Sequence, residues 1–161
     1  MYRKEEVKLK KKVALHNLGC KVNAYETEAM GQMFLGKGYE IVEFKEGADV
    51  YVINTCTVTN IADRKSRQML HRAKKMNENA LVVAVGCYAQ AFSDDLEKDD
   101  AIDIIVGNDM KNDIVNIVEN HIKKSVVDIN DTNVKREFEE LNIESMEEHT
   151  RAYIKIQDGC N

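Results

Sequence analysis

No apolar run in this chain of 161 residues approaches the roughly 18 that mark a membrane-spanning helix. The opening stretch MYRKEEVKLKKK is basic but has no apolar core behind it, so it does not read as a secretory signal. No P-loop, G-x-G-x-x-G or G-x-S-x-G string occurs, which removes the usual sequence signs of phosphate, dinucleotide and serine-hydrolase sites. The close-spaced C-x-x-C pairs of structural zinc modules are missing too. There is no internal repeat beyond the cysteine pattern described below, and no low-complexity tract. Hydrophobic content of 43% and charged content of 32% fit a globular protein with one real core. These features lead to the expectation of a cytoplasmic protein, where cysteines stay reduced and recurrent cysteine placement points to metal or catalysis.

What the chain does have is four cysteines, three of them in one kind of place. Cys20 ends VALHNLGC, Cys56 ends DVYVINTC and Cys87 ends LVVAVGC. Each run is short, apolar and rich in β-branched residues, the pattern of a buried strand. In an open parallel sheet the carboxyl ends of neighbouring strands share one edge, where ligands bind. Thiols 36 and 31 positions apart in sequence can therefore meet. Three converging thiolates suit an iron–sulfur cluster or another soft metal. Cys20 and Cys56 precede expected helices, whose starts favour anions. A three-cysteine zinc site remains an alternative, as does plain packing of small cysteines at strand ends. Cys160, next to the terminus and beyond a charged segment, stands apart as a terminal thiol.

Strands and helices alternate. Strands are expected at about Lys12–Leu18, Tyr39–Glu43, Asp49–Asn54, Ala80–Val85, Ile102–Val106 and Val126–Ile129. Helices are expected at about Asn23–Leu35, Val58–Met76 and Lys111–Lys124. Asn23 with Glu26 resembles a capping box, and Gly36 or Gly38 stops that helix. On the second helix, Val58, Ile61, Ala62, Met69, Ala73 and Met76 are candidates for the sheet-facing side. The fold class is thus α/β, an open and mainly parallel sheet with helices on both faces, Rossmann- or flavodoxin-like, of undetermined strand order. Residues 1–129 form the domain. Residues 130–150 read as an acidic linker, and Ala152–Gln157 as a strand opening something else. Seven acids against two bases in residues 131–148 carry a net −5, equal to the formal charge of the whole chain, so overall acidity does not argue against a nucleic-acid partner.

Arg64–Lys75 (RKSRQMLHRAKK) holds six Lys/Arg, His71 and no acid. It reads either as the solvated face of a helix or as a phosphate-contacting surface, with Arg64, Lys65, Arg67 and Arg72 as its contacts. It lacks interleaved aromatics, so base stacking is not implied. His16, Asn17, Asn54, Thr55, Thr57 and Gln90 flank the cysteines; they either satisfy strand ends and caps or bond to sulfur or substrate. His71, His121 and His149 read as surface residues. Gly19 and Gly86, each immediately before a cysteine, imply close backbone approach or positive φ.

LGCKVNAYETE (Leu18–Glu28), NTCTVTNIADRKSRQ (Asn54–Gln68) and VGCYAQ (Val85–Gln90) resemble the amino-terminal domain of the radical-SAM methylthiotransferases. The closing RAYIKIQDGCN resembles the junction where their radical-SAM domain begins. GCKVN with ADRKSRQ is most similar to the subgroup acting on N6-threonylcarbamoyladenosine 37 of tRNA. The resemblance implies that Cys20, Cys56 and Cys87 bind an auxiliary [4Fe–4S] cluster whose open iron holds a sulfur co-substrate. It implies that Cys160 is the first ligand of a second [4Fe–4S] cluster that cleaves S-adenosylmethionine, the other ligands lying beyond Asn161. No catalytic residue is then expected within these 161 residues, which alone would be inactive. Acting on isopentenyladenosine 37 or on a ribosomal protein is the alternative within the family. A non-enzymatic iron–sulfur electron-transfer module and a flavodoxin-like domain with incidental cysteines are alternatives outside it.

Overall fold

The structure is a computed structural model that describes residues 9–121 and 125–127, with Leu141, Ile154 and Ile156. In chain order its elements are β1 (Lys12–Asn17), α1 (Lys21–Gly36), β2 (Glu40–Val42), β3 (Val50–Thr55), α2 (Asn60–Met76), β4 (Leu81–Gly86), α3 (Cys87–Ala91), α4 (Ser93–Glu97), β5 (Ile104–Val106), a 3-10 segment (Asn108–Asp113), α5 (Ile114–Glu119) and β6 (Ser125–Val127). Six strands form one sheet in the order β2-β1-β3-β4-β5-β6, and every pairing is parallel. The chain steps outward from β1 to β2, then returns past β1 to β3. The reversal of strand order therefore falls between β1 and β3, the position where open α/β sheets leave a crevice at their carboxyl edge.

Alternation along the strands explains why both faces must be covered. Ala14, Tyr51, Ile53, Val82, Ala84 and Ile105 point to one side, where Leu70 and Ala73 of α2, Tyr88 and Ala89 of α3 and Leu96 of α4 close over them. Val13, Val50, Val52, Val83, Val85, Ile104 and Val106 point to the other, under Met30 and Phe34 of α1 and Ile114, Val115 and Val118 of α5. β3 lies centrally and is buried along its whole length, as its unbroken VYVINT run requires. The β2–β3 connection is pinned by Phe44, whose ring lies 4.9 Å from His16 and 5.3 Å from Tyr51.

Several expectations shift. α1 begins at Lys21, with Cys20 as its N-cap and no side-chain cap bond. Asn23 and Glu26 make no capping box, because both side chains turn inward to bonds described below. α2 begins at Asn60, with Thr59 Oγ1 accepting from the Ala62 amide. That phase turns Ser66, Leu70 and Ala73 toward the sheet, flanked by Met69 and Met76, and leaves Val58 and Ile61 outside at 69% and 68% exposure. The expected helix at 111–124 is a 3-10 turn followed by the single short helix α5 within the described residues. Neither α3 nor α4 was expected, since five residues give too little periodicity to read. Of the segment 130–150, Leu141 is described: it is buried on Tyr25 and Ala29, and the Tyr25 hydroxyl donates to its carbonyl at 2.6 Å. His149, Cys160 and the rest of 151–161 apart from Ile154 and Ile156 lie outside the described residues.

Candidate functional site

Register places the cysteines. Asn17 of β1 pairs with Asn54 of β3, and Thr55 with Gly86 of β4, so three adjacent strands end level with one another. Cys56 and Cys87 each follow their strand by one residue, and Cys20 follows β1 by three. The Leu18 amide extends the ladder by donating to the Asn54 carbonyl at 3.1 Å. All three cysteines therefore leave the same carboxyl edge, side by side across the switch point. Cys20 is exposed, Cys56 is buried and Cys87 is intermediate; none is in a disulfide.

Each cysteine-bearing turn is held by a buried polar group. The Cys56 amide donates to Ser66 Oγ at 3.3 Å, and that hydroxyl donates to the Cys56 carbonyl at 3.1 Å. Thr55 Oγ1 donates to the Val85 carbonyl at 2.5 Å and accepts from the Ala89 amide at 3.1 Å, tying β3 to β4 and to α3. Asn23 Nδ2 donates to the Thr55 carbonyl at 3.0 Å, and Asn54 Nδ2 donates to the Asn23 carbonyl at 3.0 Å. Asn17 Oδ1 accepts from the Gly19 amide at 3.0 Å, and Gln90 Oε1 accepts from Asn108 at 3.0 Å. Among the flanking polar residues, Asn17, Asn54, Thr55 and Gln90 are thus bonded to backbone at strand ends and turns. Asn54 Oδ1 is left buried with no hydrogen-bond partner.

Gly86 turns at φ +95, and a Cβ there would lie 2.4 Å from the Thr55 carbonyl oxygen. Only glycine lets β4 end this close to β3 and still aim Cys87 at the edge. At Gly19 the obstacle is a side chain: a Cβ would lie 2.1 Å from Asn23 Nδ2.

Three reduced thiols on the ends of adjacent strands are the donor chemistry of a thiophilic iron centre, and in kind they fit one. Among the described residues, no group of three or more His, Cys, Asp or Glu side chains is assembled to hold a metal ion as it stands. Sequence reasoning missed Ser66, which lies inside a stretch read only for its charge, and the structural use of Asn23, which was read as a helix cap.

Two further features adjoin this edge. His16 is half-buried on β1 beneath Phe44, and burial, reinforced by the nearby Arg72 charge, pushes its pKa below the ordinary value of 6.5. The unfolded chain then takes up a proton at a higher pH than the folded one. Stability is expected to fall as pH drops through about 6.5 toward the lower folded value. Thermal melts between pH 7.5 and 5 should show this slope in the wild type and a shallower one in His16→Gln; equal slopes would refute it. On α2, Arg64, Lys65, Arg67 and Arg72 are all exposed, opposite Ser66, Leu70 and Ala73. None of the four is in an ion pair among the described residues, whereas Lys74 pairs with Asp103 at 3.0 Å and His71 with Asp99 at 2.6 Å. No helix among the described residues is long and apolar enough to cross a membrane.

The chain is 42% identical over 152 residues to the threonylcarbamoyladenosine tRNA methylthiotransferase MtaB of Aquifex aeolicus, covering 93% of this chain and 37% of the relative. It is 42% identical over 151 residues to MtaB of Bacillus subtilis, covering 92% and 34%. A tRNA-2-methylthio-N(6)-dimethylallyladenosine synthase of Flavobacterium psychrophilum is 30% identical over 111 residues, covering 66% and 23%. The chain spans little more than a third of the length of the MtaB proteins. A family model described as Uncharacterized protein family UPF0004 matches residues 12–107, from the first residue of β1 to just past β5 and across all three edge cysteines. On that match the chain belongs to the UPF0004 family, the amino-terminal domain of MiaB/MtaB-type methylthiotransferases.

Proposed function

We propose that this chain is the amino-terminal part of a radical-SAM tRNA methylthiotransferase that converts N6-threonylcarbamoyladenosine 37 to its 2-methylthio derivative, working in the cytoplasm. The observation that carries the reading is the level ending of β1, β3 and β4, which delivers Cys20, Cys56 and Cys87 to one edge. In this reading the three thiolates hold an auxiliary [4Fe–4S] cluster, and Cys160 is the first ligand of a second. A cluster with three protein ligands leaves one iron open to bind the sulfur co-substrate, and S-adenosylmethionine supplies the radical that an unactivated C–H bond needs. The work of this chain's own residues is to bind and orient. Cys56 is buried and doubly bonded to Ser66, so it is the fixed point of the three. Cys20, at the N-cap of α1, is the exposed member of the three. Residues 1–129 form the cluster domain, 130–150 a linker and 151–161 the start of the radical-SAM domain.

The two MtaB relatives at 42% identity favour threonylcarbamoyladenosine over dimethylallyladenosine, whose synthase is 30% identical over a shorter stretch. Anaerobic reconstitution is expected to load about one [4Fe–4S] cluster per chain, and Cys56→Ala to abolish it. Full loading of Cys56→Ala by iron and sulfide analysis would overturn the cluster assignment. The tRNA-contacting surface in this reading is the outer face of α2. Reversing charge at Arg64, Lys65 and Arg67 should weaken tRNA binding by the full-length enzyme and flatten its salt dependence. Unchanged affinity at low salt would mark that face as merely solvated.

A further inference from the structure

Asn23 reaches two cysteine loops from one buried position. It is 4% exposed in the first turn of α1. Its Nδ2 donates to the carbonyl of Thr55, the residue that leads into Cys56. Its Oδ1 lies 3.9 Å from Cys20 Sγ, at the outer limit of a thiol hydrogen bond. Its own carbonyl accepts from Asn54 Nδ2 at 3.0 Å and from Thr27 Oγ1 at 2.7 Å. The carboxamide also fills the space beneath Gly19, where a Cβ would fall 2.1 Å from Nδ2 and 2.6 Å from Cγ. The Cys20 turn is thus moulded over this side chain, and the same side chain is bonded to the end of β3.

We infer that Asn23 is a positioning residue that fixes the Cys20 turn relative to Cys56, so that thiols from different strands enter one site in a shared frame. The inference rests on the cluster reading above, but its chemistry can be probed without iron. A buried amide spent only on stability would be equally well placed anywhere along the α1–β3 contact. Asn54 already bonds α1 to β3 through the Asn23 carbonyl and through Thr27 Oγ1 at 3.2 Å. The Asn23 side chain adds the connection between the two cysteine turns.

The test uses Asn23→Ala, Asn23→Asp and, as a comparison within the same α1–β3 contact, Thr27→Val, which removes the hydroxyl's bonds to the Asn23 carbonyl and to Asn54 Nδ2 but leaves the Asn23 carboxamide and its bond to Thr55 in place. Asn23→Asp keeps the shape but loses the amide donor to Thr55. Gly19→Ala displaces the carboxamide while leaving it in the chain, and serves if Asn23→Ala fails to fold. Each variant is measured below its melting temperature in two ways. One is iron loading under limiting iron, with the paramagnetic resonance spectrum of the reduced cluster. The other is binding of arsenite, whose trivalent arsenic takes three thiolates, counted by mass spectrometry. The Asn23 and Gly19 variants are expected to bind arsenite about tenfold more weakly, to load iron poorly and to give a broadened spectrum, while Thr27→Val matches wild type in all three. Wild-type behaviour of folded Asn23→Asp in both assays overturns the inference and leaves the cluster reading standing. Arsenite binding with no cluster in the wild type overturns the cluster reading, and the arsenite arm still decides Asn23. Failure of the wild type to bind either probe overturns both.

Discussion

Replacing Gly86 by alanine is expected to cost about 3–5 kcal/mol and to abolish assembly of the cysteine edge. Two costs add. The backbone at φ +95 and ψ −168 lies in a region essentially reserved for glycine, worth roughly 1–3 kcal/mol of strain for any other residue. The new methyl would also stand 2.4 Å from the Thr55 carbonyl and 2.6 Å from Asn54 Oδ1. Neither neighbour can retreat cheaply: Thr55 and Asn54 are fully buried, and Thr55 is bonded on both sides. A domain has only about 5–15 kcal/mol to lose. The melting temperature should drop by roughly 6–20 °C, on the usual scale of about 2–4 °C per kcal/mol for a chain of this size. Gly36→Ala provides the contrast, since nothing lies within 4 Å of its would-be Cβ and its φ is not positive; it should be neutral or stabilising by about 0.5–1 kcal/mol. Urea titrations of the two variants settle it. A Gly86→Ala protein as stable as Gly36→Ala would mean that the β3 and β4 ends are not held where the structure puts them.

The same residue shows what could be read in the sequence and what could not. A glycine directly before a cysteine, at the end of a β-branched run, already implied a special backbone, because side-chain chemistry at that point has to be delivered by the chain's direction. The three strand-then-cysteine runs were legible for a related reason. Fully buried parallel strands must be continuously apolar, and their ends must change character abruptly. The outer face of α2 was legible as charge. Its inner face was not, since the helix phase depends on Thr59 acting as cap, and moving the start by two residues turned Val58 and Ile61 outward. Asn23 misled because Asn followed three residues later by Glu satisfies a local capping pattern. Its true bonds, to Thr55 and through its carbonyl to Asn54, span more than 30 residues and exist only once β1 lies beside β3. Strand order was hidden for the same reason: parallel pairing is decided by crossovers whose local sequences do not record where they return.

Glu26 and Lys111 are the extreme of that long-range kind. They lie 85 residues apart, with side chains 4% and 3% exposed, and Lys111 Nζ donates to Glu26 Oε2 at 2.5 Å. Nothing in NDMKND suggests a buried lysine, and no shorter-range partner would need one. The pair joins the 3-10 segment after β5 to α1, the helix capped by Cys20, and so ties that helix to the β5 side of the sheet. Lys111→Met should be strongly destabilising, by about 3–5 kcal/mol, because it leaves a desolvated carboxylate without its counter-charge. Glu26→Leu alone should cost a similar amount by stranding the ammonium. The double variant should recover most of the loss, ending within about 1 kcal/mol of wild type or above it, since apolar groups of similar volume replace a buried pair without the desolvation cost. Equilibrium urea unfolding of all four proteins gives the coupling energy directly. If Lys111→Met costs less than about 1 kcal/mol, water reaches the carboxylate and the pair is not the buried strut described here. If the double variant is as stable as wild type but loads iron less well, the pair serves to orient α1 and Cys20 more than to stabilise the fold.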